Sequence, residues 1–112
     1  MNRGAFKFVL AKDKTLYIGL AHSDYHMDIC GNLDRYQIRS AGYLAYDGVE
    51  EGKEEEEDSE EHIWVANGKS EGYGIGCRFD DAIEIQKYLM TISDSDIAEQ
   101  MNDNARLAIK IA

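Results

Sequence analysis

The chain has 112 residues, of which 44% are hydrophobic, and its formal net charge is −10. This length predicts one domain with a single ordinary core. The acidic balance argues against sequence-independent binding to nucleic acid or to an anionic membrane, because both need a basic surface. No apolar run approaches the ~20 residues that a bilayer span needs, and no leader pattern opens the chain, so we expect a cytoplasmic protein.

The N-terminal quarter predicts a hairpin followed by a short helix. Residues 6–11 and 15–19 are rich in β-branched and aromatic side chains, and a polar turn separates them. Ser23 or Asp24 can cap a helix over residues 25–30, because a short side-chain oxygen accepts from the first free N–H groups. The two strands and the helix are therefore expected to lie next to one another along the chain.

The remainder predicts further strands and two more helices. Residues 37–46 alternate loosely around a glycine, which indicates two short strands or one bulged strand, and residues 62–66 predict a central strand. Residues 80–90 predict a helix, and residues 94–112 predict a C-terminal helix. Together these elements predict an α+β fold with a mixed sheet flanked by helices. The expected buried set of the first of these helices is Ala82, Ile83, Ile85, Tyr88 and Leu89.

An acidic segment interrupts the pattern at residues 50–61, where nine of twelve residues are Asp or Glu. Crowded carboxylates repel one another and bury no apolar area, so the segment is expected to be a flexible insertion. Without it the formal charge of the chain is about −2, so the global charge says little about any pocket. A basic protein partner is the alternative to a simply solvated loop.

Two short segments carry candidate chemistry. Residues 25–29 place His26 near the start of a helix, and an imidazole with a pKa near ~6.5 can act as a base at neutral pH. Residues 68–74 form a small-residue loop between a strand and a helix, which can direct backbone N–H groups at an anion. Together they indicate phosphate chemistry. The alternatives are a histidine without a chemical role and a glycine turn that only redirects the chain.

A metal or thiol site has weaker support. His22 and His26 have the spacing of two zinc ligands if both are helical, with Asp28 as a third ligand, but they diverge if the helix begins after His22. Cys30 and Cys77 lack the Cys-x5-Arg spacing of thiol phosphatases and are expected to be reduced packing residues. No metal or cofactor is therefore expected.

Four segments in order resemble one known family. Residues 4–10 form a strand that contains Lys7. Tyr-His-Met-Asp-Ile follows at residues 25–29, and a glycine follows at residue 42. A strand and Ser-Glu-Gly-Tyr-Gly then follow at residues 63–74. This order resembles the small phosphohistidine phosphatase of animals and its Janus and Ocnus relatives, over about residues 4–90.

The resemblance implies a phosphohistidine-phosphatase-like fold, with His26 as the catalytic base and Lys7 in the phosphate site. It implies that a phosphate loop completes the site, formed by Ser70, Glu71, Gly72, Tyr73 and Gly74. Two arginines of the family fall on Ile18 and Tyr43 here, which removes positive charge from the expected site. Beyond residue 90 the family ends in strand-like sequence, whereas a helix is expected here.

The resulting expectation is metal-independent phosphoryl hydrolysis with His26 as base, acting on a phosphorylated protein or a small phosphorylated ligand. The alternative is a non-catalytic binder of a phosphorylated or nucleotide-like ligand, or of a protein partner. Such a compact variant would suit a phage or mobile-element gene.

Overall fold

A computed structural model describes residues 5–20, 25–31, 33–46, 64–90, 92, 94–101 and 106–111. The elements in chain order are β1 (Ala5–Ala11), β2 (Thr15–Leu20), α1 (His26–Ile29), a 3₁₀ helix (Arg35–Gln37), β3 (Ile38–Tyr46), β4 (Trp64–Asn67), β5 (Lys69–Ser70), β6 (Ile75–Gly76), α2 (Phe79–Leu89), α3 (Asp94–Gln100) and β7 (Arg106–Lys110). The predictions for the helix caps Ser23 and Asp24, for His22 and for the acidic segment at residues 50–61 concern residues outside the described part of the chain.

Five of the strands form one sheet in the order β4-β3-β1-β2-β7, and β5 pairs with β6 in a separate two-stranded ribbon. The α+β class is confirmed. Each of the four pairings in the five-stranded sheet is antiparallel, so the sheet is antiparallel rather than mixed as expected. Among the described helices, none is long and apolar enough to cross a membrane.

The two faces of the sheet carry different layers, because successive side chains of a strand point to opposite sides. Phe6, Phe8 and Leu10 of β1 belong to the larger core cluster, together with Ile85 of α2 and Ile97 of α3. On the opposite face, a smaller cluster packs against α1. Its buried members are Val9, Ile29, Cys30, Ile38 and Ala41.

β3 is one bulged strand, the second of the two forms that the sequence allowed. Ser40 pairs with Leu10 and Ile38 pairs with Ala11, so Arg39 is the extra residue of β3 at this point. Because of the bulge, Ile38 joins the cluster beneath α1, whereas Ser40 bonds to α2 on the other face. The irregular alternation in the sequence therefore has a structural cause.

α2 is attached to the sheet through a buried carboxylate that the sequence pattern did not predict. Asp81 is 1% exposed, and it accepts hydrogen bonds from Arg39 Nε at 2.7 Å and from Ser40 Oγ. Ile83 and Tyr88, which were expected inside, are exposed. The apolar pattern suggested a slightly different helix face, because a buried acid paired across to β3 is invisible in a hydrophobicity profile.

The predicted C-terminal helix over residues 94–112 is wrong beyond Gln100. α3 ends there, and β7 pairs antiparallel with β2, with Thr15 opposite Lys110. Leu107 and Ile109 pack against the larger core cluster. The alternation of apolar and polar residues therefore makes this segment a strand, despite its apparent helical repeat.

β4 also differs from its prediction. The expected central strand at residues 62–66 is observed as Trp64–Asn67, and it lies at the edge of the sheet beside β3. Trp64 donates from Nε1 to the carbonyl of Ile92 at 2.8 Å, so the strand is covered by the segment that follows α2. Trp64 is buried beneath this cover, whereas Val65 is exposed.

Gly42 provides a test of the packing between β3 and the end of β4. A Cβ atom at Gly42 would collide with the carbonyl oxygen of Asn67 and would lie 3.2 Å from the carbonyl carbon of Gly68. Both contacts are with backbone, which cannot rotate away, so Gly42→Ala is expected to lower the free energy of unfolding by about 1–3 kcal/mol in urea titrations. Gly72→Ala is the control, because its Cβ would lie an ordinary 3.5 Å from Cε of Met27. Equal stability of the two variants would contradict this account.

Candidate functional site

The two segments that carry the candidate chemistry lie on the same face of the sheet. Tyr73 and Ile75 pack against the cluster that contains Ile29 of α1 and Cys30, which follows the helix. α2 lies on the opposite face, with the larger core cluster. The fold therefore brings α1 and the loop Ser70–Gly74, called the 70–74 loop below, next to each other above β1 and β3.

His26 is the first residue of α1 and is 7% exposed. Its Nε2 atom lies 2.8 Å from the carbonyl oxygen of Gly42. Because a carbonyl oxygen only accepts hydrogen bonds, Nε2 carries the proton, and in the neutral ring the lone pair is on Nδ1. The bond to Gly42 therefore fixes both the ring orientation and the nitrogen that can act as a base.

Burial lowers the pKa of His26 below its ordinary value of 6.5. The hydrogen bond to Gly42 acts in the opposite direction, and the nearby ammonium of Lys7 lowers the pKa further. The net direction is downward, so the imidazole is neutral at physiological pH and retains its basic lone pair. This is the protonation state that general-base chemistry requires.

Lys7 lies at the same end of the sheet. It is paired with Tyr43 of β3, and its Nζ atom lies 5.7 Å from the centre of the Tyr25 ring. The Tyr43 ring meets His26 edge-on, with ring centres 5.4 Å apart. Tyr25 and Tyr43 are both exposed, so Lys7 and the buried imidazole of His26 lie beside aromatic rings that reach the surface.

Part of the 70–74 loop is engaged internally. The amide of Gly74 donates to the carbonyl of Ser70 at 2.7 Å, and the amide of Tyr73 donates to Ser70 Oγ at 3.2 Å. The Ser70 side chain is 1% exposed, so its hydroxyl supports the turn from inside. The exposed tip consists of Glu71 and Gly72, whose amides form no hydrogen bond within the part of the chain that the structure describes.

Tyr73 ties the loop to α1. Its hydroxyl donates to the carbonyl of Leu33 at 2.7 Å, and Sγ of Cys30 lies 3.3 Å from the same hydroxyl oxygen. Burial raises the pKa of Tyr73 far above its ordinary value, so the hydroxyl keeps its proton. Tyr73, which was predicted as a phosphate-binding residue, thus holds the loop against the helix through its side chain.

The two positions where the resembling family has arginine differ in their surroundings. Ile18 is fully buried in the larger core cluster, on the face opposite His26, whereas Tyr43 faces the site. A guanidinium is nevertheless present nearby. A Cβ atom at Gly74 would lie 3.9 Å from Nη2 of Arg35, in the 3₁₀ helix. Sequence reasoning missed Arg35, because a single exposed arginine between two elements has no distinguishing pattern.

Among the described residues, no group of three or more His, Cys, Asp or Glu side chains could hold a metal ion. Cys30 and Cys77 are free thiols. Burial raises the pKa of Cys77 to about 11, so this thiol is protonated at neutral pH and is a poor nucleophile. The acid–base chemistry of the site therefore centres on His26.

Comparisons with protein-family models, with curated proteins and with solved structures return no match for this chain.

Proposed function

We propose that this protein hydrolyses a phosphoryl group, as on a phosphohistidine residue, without a metal ion and with His26 as the base. The observation that carries the proposal is the bond from Nε2 of His26 to the Gly42 carbonyl, on the face that also carries the 70–74 loop. A buried histidine with one fixed nitrogen and a lowered pKa is the arrangement that general-base catalysis uses.

The other residues of the site then have separate roles in the proposed function. Lys7 supplies positive charge close to the imidazole, and the free amides of Glu71 and Gly72 offer backbone donors at the loop tip. Backbone donors have no side-chain entropy to lose when they bind an anion. Tyr73 and Ser70 hold the loop in shape instead of contacting the ligand through their side chains.

The proposed reaction proceeds by attack of water on phosphorus. Nδ1 of His26 accepts a proton from the water as the new O–P bond forms. The P–N bond to the substrate imidazole breaks, and the leaving nitrogen takes the proton that His26 accepted from the water, which returns His26 to its neutral form. The products are inorganic phosphate and an unmodified histidine, and no oxidant, reductant or cofactor enters the balance.

β7 adds support to the proposal. The helix expected at the C-terminus set this chain apart from the phosphohistidine phosphatase family, which ends in strand-like sequence. The last described element is a strand that extends the sheet beside β2, so this difference is removed.

The direct test is release of inorganic phosphate from a phosphohistidine peptide, followed by ³¹P NMR with and without EDTA. We expect turnover that EDTA leaves unchanged. Because the pKa of His26 is lowered, kcat/KM should be constant at neutral and higher pH and should fall only below pH 6.5, as the imidazole becomes protonated. Uncatalysed hydrolysis, measured without protein at each pH, is subtracted. An acidic limb centred above 6.5 would contradict the role of His26.

A non-catalytic phosphoryl binder is the second candidate. It is favoured by the engagement of the Tyr73 and Gly74 amides within the loop and by Ile18 and Tyr43 at the family's arginine positions. Calorimetry with the same peptide separates the two functions, since a binder gives measurable affinity without release of phosphate.

A further inference from the structure

A groove of about 320 Å³ lies beside the proposed catalytic site. Its lining residues are Met27, Leu33, Asp34, Arg35, Gly72 and Tyr73. Met27 follows His26 in α1, so the groove and the imidazole share this helix. This volume exceeds what a phosphoryl group alone needs and falls within the size range of small-ligand pockets.

The walls of the groove are held in place by hydrogen bonds. The Tyr73 hydroxyl is bonded to the Leu33 carbonyl, which joins the loop to the segment after α1. The amide of Gln37 donates to the Asp34 carbonyl at 2.8 Å, and the Asp34 amide donates to Oε1 of Gln37 at 3.2 Å. These two bonds close the 3₁₀ turn that carries Arg35, which lowers the ordering cost of binding.

The charge of the groove is concentrated in two residues. Arg35 and Asp34 are its charged lining residues, and the Arg35 guanidinium reaches toward Gly74 of the loop. No carboxylate of a described residue forms an ion pair with Arg35. A guanidinium presents a planar set of donors that matches a carboxylate. Met27, Leu33 and Tyr73 supply apolar surface next to it.

We propose that this groove holds the peptide residues that flank the phosphorylated residue of a protein substrate, and that Arg35 binds an acidic side chain among them. The proposal rests on the proposed function, because the His26 site defines where the phosphoryl group lies. The substrate class is therefore a phosphorylated, acid-flanked peptide segment, and Arg35 is a specificity-determining residue.

The test uses two phosphohistidine peptides that differ only in flanking residues, Asp in one and Lys in the other. Wild-type protein is expected to bind the Asp peptide about fivefold more tightly. Arg35→Glu should reverse this preference by a similar factor in Kd and KM while kcat stays unchanged. Asp34→Asn should strengthen binding of the Asp peptide. Lys87→Glu is the matched control, since Lys87 is exposed on α2 and that helix packs on the opposite face.

The outcomes separate this inference from the hydrolytic function. Absence of a preference in the wild type, or an unchanged preference in Arg35→Glu, would overturn the role of the groove even if turnover depends on His26. A preference that reverses in Arg35→Glu supports the groove even if no phosphate is released, and that result would overturn hydrolysis alone.

Discussion

Replacing His26 with glutamine is expected to lower turnover of a phosphohistidine peptide about 100- to 10,000-fold, the usual contribution of a general base. Glutamine is the informative replacement, because its Nε2 amide can still donate to the carbonyl of Gly42. It offers no basic nitrogen in place of Nδ1. The variant therefore removes the proposed chemistry while keeping the hydrogen bond that holds α1 on the sheet.

The control for this variant is Lys87→Gln, because Lys87 is exposed on α2 and that helix packs on the face opposite His26. Its turnover should equal that of the wild type. Peptide affinity measured by calorimetry should change little in His26→Gln, because the base acts on water and not on the bound phosphate. Equal turnover in wild type and His26→Gln would remove His26 from the mechanism.

The same variant has a second readout in stability against pH. The pKa of folded His26 is below the ordinary 6.5, so the unfolded chain binds its proton first as pH falls. The contribution of His26 to stability is complete above pH 6.5 and is lost as pH falls from 6.5 through the folded pKa. This decrease in the free energy of unfolding should be missing when His26→Gln is titrated with urea at the same pH values. A pH dependence identical to that of the wild type would contradict the lowered pKa.

Replacing Asp81 with alanine is expected to lower the free energy of unfolding by about 3–5 kcal/mol, the usual cost of breaking a buried ion pair from one side. The change leaves Arg39 and the Ser40 hydroxyl without their acceptor. The Arg39 side chain is 34% exposed and keeps some contact with water, which places the cost near the lower end of this range. The amide of Arg78, at the start of α2, also bonds to Ser40, so the helix loses part of its attachment.

Asp80→Ala is the control for this prediction. Asp80 is the exposed neighbour in the first turn of α2, so its loss costs the favourable interaction with the helix dipole, about 0.3–1 kcal/mol, and a weaker attraction to Arg39. Urea denaturation of both variants gives the comparison. Asp81→Asn, which keeps one acceptor and loses the charge, should fall between them. A difference of less than about 1 kcal/mol between Asp81→Ala and Asp80→Ala would show that the pair with Arg39 is not a main anchor of α2.

The local sequence pattern was sufficient to predict the elements whose periodicity is contained in their own residues. The hairpin of β1 and β2 and the helix α2 were predicted close to their observed bounds, because apolar alternation and helical periodicity are properties of neighbouring residues. β7 was predicted as part of a helix, because Ala108 and Ile109 continue the helical spacing of Ile97. The pairing with β2 makes it a strand, and it depends on residues far away in the chain.

In the candidate site, too, some residues could be identified from the sequence and others could not. His26 and Lys7 could be named from sequence, and the structure places them at one end of the sheet. The use of Tyr73 as an anchor could not be predicted, because its partners Leu33 and Cys30 come from another segment. Arg35 was missed because its neighbour Gly74 also comes from another segment of the chain. Its position matters only because the 70–74 loop folds beside it.

The pairing of Thr15 with Lys110 has a consequence for how the chain is made. During synthesis β2 has β1 as a neighbour almost at once, but its other side stays open until β7 has left the ribosome. An open strand edge is a template for pairing with another chain. Nascent copies should therefore be prone to aggregation in the interval between the synthesis of β2 and that of β7, and a chaperone that shields β2 during this interval should raise the yield of folded protein.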